Sequence, residues 1–176
     1  MGVARRDATE TEAKALASPI RLRILRLLRF DQLTNAEIAA QLDLNPATSL
    51  HHVRVLKTAG LISDATPRPG PNGITEKPYR DNGKSWTLEI NERTSSKRAG
   101  TAGIEAFIAE INQPGATVDG LTRLALHLNR ASLDELQARL QVLYDEYEQR
   151  QDPDGNAYAL FSVIHRRPRK RSTLKP

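Results

Sequence analysis

Between Leu33 and Leu61 the chain carries two helix starts, at Thr34 and at Asn45. Glu37 stands three residues after Thr34, the spacing of a capping box, in which each side chain satisfies the other residue's backbone N–H. Leu33 and Ile38 hold the two positions of a hydrophobic staple. Asn45 precedes Pro46, an N-cap ahead of a proline whose missing N–H would be unpaired there in any case. Gly60 ends the second helix, as a residue tolerant of positive φ should. Two short helices joined by the tight turn Asp43-Leu44 form a helix-turn-helix, and this build points to duplex DNA as a partner.

The second helix, expected to run to about Ala59, has two distinct sides. Ser49, Val53 and Leu56 share one face and are expected to point at the core. Ala47, Thr48, Leu50, His51 and Arg54 lie around the rest. Thr48 and His51 offer hydrogen bonds to bases or phosphates, and Leu50 offers apolar surface to a thymine methyl. Arg54 and Lys57 lie further along, where phosphate contact is expected.

Upstream, Ser18-Pro19 starts a helix in which Ile20, Ile24, Leu27 and Leu28 recur at helical spacing, interleaved with Arg21, Arg23, Arg26 and Arg29. A shorter helix over about 11–17 is expected before it. Downstream, Leu61 to Asp64 reads as a strand and Ala65 to Gly83 as a Pro- and Gly-rich loop. Lys84 to Ile90 reads as a returning strand with Trp86, Leu88 and Ile90 alternating. This describes a β-hairpin wing. Its basic residues Arg68, Lys77, Arg80 and Lys84 are expected to reach backbone or minor groove. The candidate DNA-contacting set is therefore Asn45, Pro46, Ala47, Thr48, Ser49, Leu50, His51, Arg54, Lys57, Arg68, Lys77, Arg80 and Lys84.

The segments Ala15 to Leu28 and Leu50 to Leu61, the second reading Leu-His-His-Val-Arg-Val-Leu-Lys-Thr-Ala-Gly-Leu, resemble the ArsR-type winged helix-turn-helix regulators of bacteria. The likeness covers roughly residues 11–90. It implies a dimeric DNA-binding regulator, commonly a repressor released from its operator by an effector. Leu50 departs from the serine that the family places near DNA. The wing is longer than in the compact metal sensors, and the residues after about 112 extend past the small members.

Charge is partitioned along the chain. Residues 1–98 hold 16 basic and 11 acidic side chains, 99–164 hold 4 and 10, and 165–176 hold 6 and none. A polyanion is drawn to both ends and repelled by the middle. Cysteine is absent, which removes disulfides and every thiolate metal site. With no signal-like or membrane-spanning run, the protein is expected in the cytoplasm. The four histidines form no chelating pair, and no elbow, phosphate loop or His-Glu-x-x-His appears. No enzyme activity, cofactor or metal is expected. The other reading is a winged helix that serves protein interaction without touching DNA.

The fold class expected is mainly α with small β. A winged helix-turn-helix DNA-binding domain over 1–95 is followed by an α+β dimerisation or effector region over 96–165 and a disordered basic tail over 166–176. In the second region a helix over 98–112 carries Ile104, Phe107, Ile108 and Ile111 on one face. Strands are expected at 121–128 and 158–165, flanking a helix started by a Ser132/Glu135 capping box, whose inner stripe is Leu136, Leu140, Leu143 and Tyr147. The expected partners are double-stranded DNA with a palindromic operator, a second copy of the chain as a homodimer, and a small-molecule effector held between the wing domain and the C-terminal half.

Overall fold

The computed structural model describes residues 5–89 and 97–166. Six helices carry most of the regular structure: α1 (Glu10–Leu16), α2 (Pro19–Phe30), α3 (Asn35–Gln41), α4 (Pro46–Thr58), α5 (Lys97–Ile111) and α6 (Arg130–Gln149). Among the described residues, strands occur only between residues 6 and 89. The class is the one expected, mainly α with a small β part.

Helix starts are set by side chains. Thr9 and Glu12 form a capping box at α1, and Arg6 clamps the same Glu12 carboxylate at 2.8 and 2.5 Å. That clamp, with the Thr9 hydrogen bonds, holds Glu12 down at about 2, against the desolvation that opposes it. Arg21 reaches back from α2 and donates to the carbonyls of Ala15 (2.5 Å) and Lys14 (2.7 Å). It thereby supplies a donor to the Ala15 carbonyl at the end of α1 and a second one to that of Lys14, which also accepts from the Ala17 N–H. Thr34 and Glu37 form the expected box at α3.

The core lies where α1, α2, α3 and α4 meet. Ile24, Ile38, Val53, Leu56, Leu61 and Ile62 are its largest fully buried members, and each such aliphatic side chain contributes about 1.5–3 kcal/mol by leaving water. The expected alternation of Arg with apolar residues along α2 puts Ile24, Leu25 and Leu28 inside.

The wing differs from expectation in register. Strand β2 (Ile62–Asp64) pairs antiparallel with β5 (Tyr79–Asp81), not with Lys84 to Ile90. The presumed loop is itself a hairpin, with β3 (Arg68–Pro69) antiparallel to β4 (Thr75–Glu76) around a 3₁₀ turn at Pro71–Gly73. The Asp64↔Tyr79 and Arg68↔Glu76 pairs are offset by one residue, so the outgoing arm holds one extra residue around Thr66-Pro67, a bulge. Prolines at 67, 69, 71 and 78 cannot donate to a ladder, which is why one long hairpin breaks into two short ones. Lys84 to Thr87 turns instead of running straight. Beyond it β6 (Leu88–Glu89) pairs in parallel with an N-terminal strand, β1 (Arg6–Asp7). Ile90 lies outside the described residues.

The C-terminal half departs further. Helix α5 packs on α2 and α1, but through the small Ala102 and Ala106, which are buried, while Ile104, Ile108 and Ile111 stay exposed. Small residues let the two backbones approach, and the larger stripe turns outward. The cap of α6 is Asn129, whose side chain accepts from the Ser132 N–H, so the helix starts earlier than the Ser132/Glu135 box required. The strands expected at 121–128 and 158–165 are not formed among the described residues. Each would need a neighbour to pair with, and the helix between them leaves one face and both edges bare. The basic tail after Arg166 lies outside the described residues, as does the 95/96 boundary between the two expected domains.

Candidate nucleic-acid interface

Three local devices fix α4 relative to α3. Asn35 donates from Nδ2 to the Pro46 carbonyl at 2.9 Å, tying the start of one helix to the start of the other. Asp43 takes the left-handed conformation, φ 53°, which aspartate tolerates better than most residues. Leu44 then donates to the Ala39 carbonyl at 2.8 Å and closes the turn. Asn45 caps α4 by accepting from the Ala47 N–H at 2.8 Å. At the far end Gly60, at φ 67°, lets the chain reverse into β2.

These constraints sort the candidate residues. Val53 and Leu56 are buried as expected. Ser49 is buried with them at 0 % exposure, and its amide is bonded to the Asn45 carbonyl. It cannot reach a DNA surface, which removes it from the candidate set; its place on the Val53/Leu56 face decides the matter. Asn45, Pro46, Ala47, Thr48, His51, Arg54 and Lys57 are exposed, and Leu50 is half-buried. His52 is half-buried. Burial, then the nearby Arg21 and His51, holds its imidazolium pKa below the ordinary value. Its Nδ1 is buried without a hydrogen-bond partner among the described residues, so it serves packing.

The basic side chains of the wing divide in the same way. Arg68 donates to Glu76 at 2.9 Å, to Glu37 at 2.6 Å and to the Gln32 carbonyl at 3.1 Å. Its charge is matched by two carboxylates, and it staples the hairpin to α3, so any phosphate it meets must compete with both. Lys57 is held by both oxygens of Asp64 at 2.7 Å, so any phosphate it meets must compete with an ion pair. Arg80 leans on Ser63 Oγ at 3.3 Å. Lys77, Arg80 and Lys84 are exposed on the hairpin and just after it.

Sequence reasoning overlooked a basic groove beside α4. Thr11, Lys14 and Arg21 line it from α1 and α2, and His51, Arg54 and Thr58 line it from α4. The signal was present in the Lys14 position on the polar side of α1, but only the packing of α1 beside α4 joins the two. A surface of this composition suits a phosphate backbone. Among the described residues no group of His, Asp and Glu is arranged to hold a metal ion, and no helix is long and apolar enough to cross a membrane.

Residues 16–64, from the end of α1 through β2, match the family model of a helix-turn-helix domain. No curated protein matches the chain. The match covers the elements that position α4, and it supports DNA binding in transcription regulation as the role of this part of the chain.

Proposed function

We propose that the protein is a homodimeric, ArsR-type winged helix-turn-helix repressor of bacterial transcription, with α4 as the recognition helix. Residues 1–95 form the DNA-binding unit, 96–165 the dimerisation or effector region and 166–176 a basic tail. The observation that carries this reading is the split of α4. Ser49, Val53 and Leu56 lie inside the core, while Thr48, His51 and Arg54 are exposed beside the groove formed with Lys14 and Arg21. Two copies would present two such helices to successive major grooves of a palindromic operator. Residues 1–98 carry the net positive charge that draws a phosphate backbone, and residues 99–164 carry the net negative charge that repels it.

The proposed effector site is a cavity of about 280 Å³ between α2, α5 and residues 157–159, lined in part by Arg23, Arg26, Phe30, Leu42, Glu110 and Tyr158. Burial pushes the Glu110 carboxyl up, against the pull of Arg26 and Arg23. Leu42 belongs to the turn after α3, so a ligand here would bear directly on the helix-turn-helix.

The test is duplex selection from a random library, followed by fluorescence anisotropy on the selected site. Thr48→Ala and His51→Ala are expected to alter preference among bases by roughly 1–3 kcal/mol per contacted base pair. Binding by both variants with wild-type affinity and preference would overturn the assignment of α4.

A further inference from the structure

Two segments of the C-terminal half have the pattern of strands and no strand partner. In 121–128, Leu124, Leu126 and Leu128 alternate with Arg123, Ala125 and His127; in 158–165, Tyr158, Leu160 and Ile164 fall on one side. Phe161, of the opposite parity, rests on the segment's own α5: its ring stacks on Phe107 with 5.3 Å between centroids and fits against Gly103. On the other face Tyr158, which also borders the cavity beside α2 and α5, and Leu160 are about 70 % exposed. The leucines of 121–128 are between 44 and 90 % exposed. No backbone hydrogen bond joins either segment to another described residue.

The exposed area decides what this means. Side chains of this size carry about 150–250 Å² each, so the two segments show on the order of 1,000 Å² of apolar surface per copy. The largest patch on an ordinary monomer is about 300–600 Å², and a stable interface buries about 800 Å² per partner. The segments also carry almost no charge: Arg123 is the one charged residue of 121–128, and 158–164 has none, while the acidic residues sit on α5, α6 and the turns. Two copies can therefore meet here without acid facing acid. Each copy supplies two unpaired strands, and pairing them satisfies backbone and side chains together.

We propose that residues 121–128 and 158–165 are the strands of an intersubunit β-sheet, formed with a second copy of this chain and covered by α6 from each copy. This rests on the dimeric reading above and names the surface that makes the dimer. The stripe Leu143 and Tyr147 of α6, exposed in the single chain, is the cover for the leucine face.

The experiment uses the full chain. Sedimentation velocity across a range of concentrations gives the dimer constant, and hydrogen exchange followed by mass spectrometry reads protection of the 121–128 amides. Leu126→Asp is expected to weaken the dimer a hundredfold or more, and Ala125→Asp, of opposite parity, less than threefold. Amides in 121–128 should be protected above the dimer constant and exchange freely below it. A dimer indifferent to Leu126→Asp overturns the sheet and leaves the dimer standing. Protection in a species of monomer mass overturns it too, because the strands would then pair within one chain. DNA anisotropy on the same samples separates the two readings. A parity-sensitive dimer that ignores DNA sinks the regulator and keeps the sheet; a monomer that binds DNA sinks the sheet and keeps the DNA reading. Trp86 fluorescence, from the N-terminal unit, confirms that each variant is folded.

Discussion

Arg54 and Arg68 are both basic and both on the DNA-binding unit, yet their surroundings predict opposite behaviour. Arg54 is exposed on α4 in the groove with Lys14 and His51. Arg68 is bonded to Glu37, Glu76 and a carbonyl. An arginine that neutralises a phosphate releases counterions, and each such contact adds about 0.9 to the slope of log affinity against log salt. A dimer with two Arg54 side chains on phosphates loses about 1.8 of that slope on Arg54→Ala. Across a salt increase from about 50 to 200 mM, the variant should therefore lose about one decade less affinity than the wild type. Its thermal midpoint should not move, because Arg54 holds no hydrogen bond or ion pair among the described residues. Arg68→Ala should give a salt plot parallel to the wild type and a lower thermal midpoint. Its ion pairs are partly solvent-screened, so the fall should be small. The assay is anisotropy on one operator duplex at five salt concentrations, with a thermal melt of each protein. If Arg68→Ala flattens the slope as much as Arg54→Ala does, the wing arginine reaches DNA after all and the hydrogen-bond argument is wrong.

Three further outcomes follow from buried and half-buried groups. Ser49→Ala removes a buried hydroxyl that has no hydrogen-bond partner among the described residues; stability should stay level or rise by about 1–2 kcal/mol, with DNA affinity unchanged, checked by urea melts and anisotropy. His52 has a folded pKa below its ordinary 6.5, so the folded state binds the proton less well than the unfolded one. Stability from this group is complete above pH 6.5 and falls as the pH drops below it. Glu12, held at about 2 against 4.5, contributes stability that is complete above 4.5 and lost as the pH falls towards 2. Denaturant midpoints of wild type and His52→Asn, measured between pH 8 and 5, should converge in slope only if another group carries the upper window.

Local chemistry made α3 and α4 legible. Thr34, Glu37, Asn45 and Pro46 each act within four residues of their own position, and the structure keeps all four in the roles their types suggest. The buried stripe Ser49, Val53 and Leu56 was equally plain from period alone. Ser49 nonetheless entered the candidate DNA set, because a polar residue at a helix start suggests contact, while its face says core. The wing was misread for a different reason. Alternation at Trp86, Leu88 and Ile90 looks like a returning strand, but strand pairing depends on which residues lie opposite. Pro78, buried, and Gly83, at φ 67°, move the return up to Tyr79–Asp81. Arg68 looked free because Glu37 is 31 residues away in sequence and 2.6 Å away in space. Such pairings are set by tertiary packing and leave no trace in local spacing.

The C-terminal half shows where a reading of period stops being a reading of fold. Leu124, Leu126 and Leu128 carry the alternation of a strand, and no backbone hydrogen bond joins them to another strand among the described residues. Likewise α5 buries Ala102 and Ala106 and leaves Ile104, Ile108 and Ile111 outside, although burying the three isoleucines would remove more apolar area from water. An exposed apolar patch of this size on a single chain is informative where scattered exposed residues are not. Such exposure, repeated on a helix and on two strand-like segments, is what one half of an interface looks like. In the N-terminal unit Ile24, Ile38 and Leu56 are fully buried within the single chain, and its exposed large hydrophobics, Phe30 and Ile74, stand singly. The two halves of the sequence thus differ in what completes them. The helix-turn-helix closes its core with its own residues, and the region after it leaves strand-like segments and a helix face exposed, which the proposed second copy would cover.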